Sequence, residues 1–313
     1  MKMNFDFVGF RKISLIISAA LIVLCVLLSF VMGVEMDISF KGGTMAKYSY
    51  TGTLDLEDVK DFAKAQLGND VVVDLTNSGD QSIISLSKTD VLSPKAQEKL
   101  TEAFQKQYPD NKIVAEQINA VQPSMGRSFF AKCLLAVALA ALFLILYVAY
   151  RFRKIGGFSA GLMAVFALVN DLAFAYLAFI IFQIPLNDNF VAVMLTILGY
   201  SLNDTIVVYD RVRENKGINP TATTAELVND SLNVVKIRTF ITTLTTFSAV
   251  VMIIVVAELF GLTSLRSFAI PMAFGLISGC ISSLFISAPL WVIWKNHSDN
   301  KLPKATKKKG RRR

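Results

Sequence analysis

FVAVMLTILGYSLNDTIVVYDRVREN, residues 190–215, runs apolar from Phe190 to Tyr209 with a single charge inside it, Asp204, and then turns abruptly charged. A helix needs ~20 residues to cross the hydrocarbon core of a bilayer, and every backbone group in the crossing must be satisfied within the segment. The stretch meets that length. Five more runs do the same, at residues 13–34, 129–150, 158–182, 240–257 and 268–294. With 53% hydrophobic residues and a mean hydropathy of +0.51 over 313 residues, the chain belongs with integral membrane proteins. The expected architecture is a polytopic α-helical membrane protein with six transmembrane helices.

Basic residues set the expected orientation. If the N-terminus lies in the cytoplasm, the segments on that side hold 20 of the 32 Lys and Arg, among them Lys2, Arg11, Lys12, Arg151, Arg153, Lys154, Arg211 and Arg238. The short outer loops QIPLNDN and ELFGLTSLR carry only Arg266. The pI of 9.3 then reflects topology and not a nucleic-acid groove. The tail KKKGRRR reads as a solvated flank, or as a contact for ribosomal RNA or anionic lipid. Both termini are expected in the cytoplasm. The first span follows Arg11-Lys12, but its length and the lack of a small-residue cleavage site mark an uncleaved anchor.

The domain reading is residues 1–34 for the N-terminus and first span, 35–127 for a polar outer domain, 128–294 for a five-helix bundle, and 295–313 for a basic tail. In the outer domain MAKYSY alternates like a strand, LDLEDVKDFAKAQLG has helical spacing, and VVVDL and SIISLS flank the turn-rich TNSGDQ. Ser93 before Pro94 marks a helix start, and KIVAEQI closes as a strand. The order βαββαβ predicts a small extracytoplasmic α+β domain of the ferredoxin-like kind. Within the bundle, Ala225, Val228, Leu232 and Val235 form one apolar seam, which predicts an interfacial helix over about 221–236.

Asp204 is the chemical question. It lies roughly 10 Å, about two helical turns, from the edge marked by Asp210-Arg211. An ionised carboxylate at that depth costs a few kcal/mol, roughly, unless a cation or water accompanies it; otherwise it takes up a proton. Tyr200, Ser201 and Asn203 give its helix a polar stripe. Arg238 opens the fifth span in RTFITTLTTF, followed by Thr242, Thr245 and Thr246, and a short connection lets the two spans lie antiparallel. Asp171, in VNDLAF, is a second intramembrane acid. Together Asp204, Arg238 and Asp171 form a candidate ion or proton relay. Three quieter readings stay open: Asn203-Asp204 as interhelical glue, a static salt bridge, and Arg238 as a snorkelling flank. The threonines also have a local use, bonding back to their own helix. Gly275, Gly279 and Ser283 recur every fourth residue, a small-residue face for close helix packing.

Nothing points to an enzyme. Cys25, Cys133 and Cys280 lie in apolar runs, and His297 stands alone in the polar tail. No metal-ligand spacing, Gly-rich phosphate loop or nucleophile motif occurs, so neither a metal nor an organic cofactor is expected.

GYSLNDTIVVYDRVREN, NDSLNVVKIRTFITTLTT and FGLISGCISSLFISAPL, together with FKGGT at residues 40–44, resemble the SecF family of protein-export membrane proteins. The likeness runs over residues 7–294. It implies a half-transporter of the resistance–nodulation–division type that pairs with SecD, has YajC as a further partner, and assists the SecYEG channel. It further implies an inner-membrane location, a proton or sodium gradient as energy source, Asp204 and Arg238 on the ion pathway, and an outer domain that handles the unfolded translocating polypeptide. Three positions depart from the family pattern: Ser39 for an Asp in the strand leading to GGT, Asn170 for a His, and Ile241 for an Asn. Two rival functions remain, a small-molecule or lipid exporter half and a purely structural translocon subunit.

Overall fold

The computed structural model describes residues 5–78, 81–153 and 155–301. Lys2, Lys154 and the KKKGRRR tail lie outside them. In chain order the elements are α1 (Arg11–Val31), α2 (Ile38–Lys41), β1 (Gly43–Tyr50), α3 (Leu56–Leu67), β2 (Val71–Ser78), β3 (Gln81–Lys88), α4 (Pro94–Gln107), β4 (Val114–Val121), α5 (Pro123–Arg151), α6 (Gly157–Ile181), α7 (Asp188–Ile218), α8 (Thr224–Leu259), α9 (Thr263–Ser282) and α10 (Ala288–Lys301). Among the described residues six helical spans are long and apolar enough to cross a membrane, the sixth formed by α9 and α10 together. α6, α7 and α9 are the most enclosed; α1, α5 and α8 stand around them with most of their side chains open to the surroundings.

The segment between the first two spans folds as a four-stranded antiparallel sheet in the order β2-β3-β1-β4. Its inward side chains alternate along β1, where Ala46, Tyr48 and Tyr50 are buried, as the period of two in a strand requires. They meet Val59 and Ala63 of α3 and Leu100 and Phe104 of α4 in a core separate from the bundle's. Asp55 and Ser93 cap the two helices, each accepting from a backbone N–H of the first turn.

Two attachments join this domain to the bundle. Residues 38–41, where the family resemblance implies a strand leading to GGT, make one helical turn capped by Asp37, whose Oδ1 accepts from Ser39 N and Ser39 Oγ at 2.9 and 2.7 Å. That turn points Phe40 into the bundle, where it is buried with its ring centroid 5.1 Å from Phe130 and 5.7 Å from Phe129. The chain then reverses through Gly42 and Gly43 at φ +83° and +133°, conformations that favour glycine. The second attachment is a pair of backbone bonds, Leu186 N to Glu35 O at 2.9 Å and Asp37 N to Leu186 O at 3.0 Å. They tie the domain's root to the loop that opens α7.

The predicted interfacial helix at 221–236 is not a separate element. Thr223 and Glu226 form a capping box, and the helix then runs unbroken for 36 residues to Leu259. At 1.5 Å per residue that is ~54 Å, well beyond the ~30 Å hydrocarbon core. The apolar seam faces protein and not a membrane surface: Val228, Leu232 and Val235 pack in one cluster with Val208, Tyr209 and Val212 of α7. A seam at i, i+4 and i+7 suits either surface, and Asn215 Nδ2, donating to Ser231 Oγ at 2.8 Å, fixes this one. α7 likewise continues past Asp210-Arg211 to Ile218. The N-terminal segment is clipped to α8 by Phe5 N and Phe7 N, which donate to Asn233 Oδ1 and Asn229 Oδ1, both at 2.9 Å.

Candidate functional site

Asp171 sits mid-helix in α6, fully buried. Three hydroxyls converge on it: Ser201 Oγ of α7 donates to Oδ2 at 2.6 Å, Ser282 Oγ of α9 to Oδ2 at 2.7 Å, and Ser278 Oγ of α9 to Oδ1 at 2.5 Å. Asn170 Nδ2 donates to Ser278 Oγ at 3.3 Å, and its buried Oδ1 has no partner. The three central helices are therefore joined through one carboxylate. Among the described residues no Lys or Arg pairs with it.

The polar seam continues along α7 and the sixth span. Thr205 and Ser283 hydroxyls meet at 3.2 Å, and Tyr209 OH meets Ser287 Oγ at 3.0 Å and donates to Ala160 O at 3.3 Å. Residues 283–287 form a π-turn, which adds a residue to the helical repeat and often marks a functional site. Here it lets Ser282 reach Asp171 while Ser287 still faces Tyr209. Gly275, Gly279 and Ser283 face Ile197, Ser201 and Thr205 in step. A Cβ on Gly275 would overlap the Ile197 side chain, and one on Gly279 would come within 3.2 Å of Ser201 Cβ.

Asp204 lies one turn beyond Ser201 and is 5% exposed; its Oδ2 is buried with no hydrogen-bond partner. Arg238 does not form the expected ion pair with it. The guanidinium is exposed and outside 4.0 Å, although its positive charge acts on Asp204. Asn203, Thr242 and Thr245 are exposed. Thr242 donates to Arg238 O, and both Thr245 and Thr246 donate to Thr242 O, so the threonine row is bonded within α8. Tyr200 OH reaches across to Thr243 Oγ1 at 3.4 Å.

The structure thus keeps Asp171 and Asp204 in two separate settings, one carboxylate held by three hydroxyl donors and the other with its buried Oδ2 unpartnered among the described residues. Ser278, Ser282, Thr205 and Thr243 are absent from the sequence reading, and Ser201 enters it only as a neighbour of Asp204. Ser278 and Ser282 repeat at the same four-residue spacing as Gly275 and Gly279, the one signal that pointed to them.

Six crossing helices around buried acids, with one α+β domain set between the first two, define a multi-pass membrane protein of the transport type. Residues 99–297 match the family of protein export membrane proteins SecD/SecF, C-terminal region. The chain is 32% identical over 98% of its length to the protein translocase subunit SecF of Alicyclobacillus acidocaldarius, covering 98% of that protein. It is also 32% identical to the SecF of Petrotoga mobilis, over 92% of this chain and 95% of that one. The protein translocase subunit SecDF of Bacillus subtilis matches at 32% over 93% of this chain but only 38% of its own length. Among solved structures, SecDF from Thermus, described as a translocon-associated membrane protein, superposes with a TM-score of 0.78 at 28% identity, over 94% of this chain and 39% of that one. The chain belongs to the SecF family of protein translocase subunits, and so to the protein-export machinery of the Sec pathway.

Proposed function

We propose that this chain is one half of an ion-driven export accessory, that SecD supplies the other half, and that Asp204 is the carboxylate that gains and loses the coupling ion. The observation that carries this is Asp204 Oδ2: buried, without a hydrogen-bond partner among the described residues, and within the influence of the charge on the exposed Arg238. A bare carboxylate oxygen at membrane depth is costly, so such acids carry a proton or meet a partner. Transporter sites often form between two homologous halves, and in Bacillus subtilis SecDF a region like this one is part of a longer chain. A SecD half laid against α7 and α8 closes the site.

The cycle follows from charge. With Asp204 ionised, Arg238 is drawn toward it; with Asp204 protonated, Arg238 is released, and α7 and α8 settle in a second packing. α7 begins two residues after Leu186, which is bonded to the domain's root. A tilt of α7 therefore moves the domain. The proton is the primary coupling ion in this reading, with sodium on the same carboxylate as the alternative carrier. There is no covalent step, so the chain is not an enzyme. The sheet order β2-β3-β1-β4 with two helices supports a ferredoxin-like domain, placed outside the cell membrane by the basic residues at the opposite ends of the spans. That domain handles unfolded polypeptide leaving SecYEG, with YajC as a further neighbour.

Asp171 favours a second reading. Its three hydroxyl donors are what a static strut needs, and a purely structural subunit would contain such struts. Vesicles bearing this chain with SecD and the channel separate the two. Asp204→Asn is expected to preserve assembly and abolish export driven by the ion gradient. Full export by that variant would leave the structural reading in place.

A further inference from the structure

On the α1 side of the bundle an open cavity of about 500 Å³ lies between α1, α6 and α10, lined by Leu15, Met163, Phe166, Leu290, Ile293 and Trp294. Its floor is a small buried cluster of its own, formed by Ala167, Ile286 and Leu290 with Met163 against it. All these residues belong to membrane-crossing helices. The cavity is therefore open to lipid and offers water few polar partners.

The two ends of the cavity differ. Leu290, Ile293, Trp294 and His297 fall on one face of α10 at helical spacing, and His297 closes the lining at one end. On α1, Arg11 and Lys12 precede Leu15 by four and three residues, which puts both on its side of the helix one turn toward that same end; Arg11 Nη1 also donates to Val8 O at 3.4 Å. No acidic side chain lines the cavity among the described residues. Trp294 is 49% exposed there, the setting that an indole takes at a membrane–water interface. An apolar slot of membrane depth topped by cations is complementary to one kind of molecule: acyl chains below, a negative phosphate above.

We propose that this groove is a binding site for one phospholipid with an anionic headgroup, the acyl chain lying along Phe166 and Leu290 and the phosphate held by Arg11, Lys12 and His297. Asp204 is not part of this site.

The test places the full chain in nanodiscs containing a minor fraction of lipid brominated on its acyl chains, either phosphatidylglycerol or phosphatidylcholine. Bromine quenches nearby indoles. Stronger quenching by the phosphatidylglycerol is expected, the excess disappearing in Trp294→Phe. Lys12→Gln is expected to lower the preference about fivefold and Arg11→Gln/Lys12→Gln further, since each surface cation contributes ~1 kcal/mol to anionic-lipid attraction. Equal quenching by the two lipids means unselective annular lipid and overturns the proposal. So does an excess that survives the double variant, or a groove that neither lipid reaches because a protein surface covers it.

Discussion

Ser282 Oγ donates to Asp171 Oδ2 at 2.7 Å, and Ser201 Oγ donates to the same oxygen from another helix at 2.6 Å. One acceptor thereby holds α6, α7 and α9 in register. In a membrane the apolar surroundings give little drive for helix association, so interhelical hydrogen bonds and close packing carry more of it. Ser282→Ala and Ser278→Ala are each expected to cost about 0.6–1.7 kcal/mol. Asp171→Asn is expected to cost more, because its amide turns a donor toward hydroxyls that donate. Unfolding of the purified protein in mixed micelles measures all three. Asp171→Asn combined with Ser282→Ala should cost less than the sum of the two, and strict additivity would mean that the hydroxyl does not serve the carboxylate.

The glycine row gives a size test. Gly275→Val is expected to destabilise the chain by about 1–3 kcal/mol, because the new side chain must displace Ile197 from a packed interface. Gly199 has no neighbour within 4 Å on its open side. Gly199→Val is expected to leave the isolated chain as stable as before and to weaken its recovery with SecD in co-purification. Equal loss of stability in both variants would show that helical glycines here are generally intolerant of a β-branched side chain and that the Ile197 contact does not set the cost.

The six spans were legible because length and apolar content leave a helix little alternative in lipid. The strands between the first two were legible because alternation and turn residues agree there. The interfacial helix failed for a physical reason: Val228, Leu232 and Val235 look the same whether they face lipid headgroups or α7, and only tertiary packing distinguishes the two. Arg238 differs in another way. Its position on α8 is as expected and its charge acts on Asp204, but nothing in a sequence reports which way a long, exposed side chain turns. The serine cage was hidden because serine in a membrane helix so often bonds only to its own backbone.

The π-turn at 283–287 yields a prediction about register. A π-turn absorbs one extra residue, so deleting Phe285 would return the segment to regular helix while the residues after it keep their faces. Ser287 then still meets Tyr209, and Trp291, whose Nε1 donates to Ser159 Oγ at 3.0 Å, keeps its buried site. The expected outcome is an unchanged indole emission and a retained cooperative thermal transition. A red-shifted emission would mean that the downstream faces rotated and that the π-turn does not simply absorb the extra residue.

Phe40 makes the sharpest demand on the link between domain and bundle. Its ring is 2% exposed, between Phe129 and Phe130 at the start of α5. Gly126 allows the approach, since a Cβ there would sit 2.7 Å from the Phe40 carbonyl oxygen. The domain has its own core in Tyr48, Ile84 and Phe104 and does not need Phe40 to fold. Phe40→Ala is therefore expected to leave the sheet and the bundle intact while loosening the joint, at a cost of up to about 3–5 kcal/mol for a fully buried ring. Hydrogen exchange should accelerate at the amides of residues 38–42 and at Leu186, with little change along β1 or α6. If α7 drives the domain through this root, the same variant loses gradient-dependent export although Asp204 is untouched, whereas retained export would place the transmission somewhere other than the Phe40 joint.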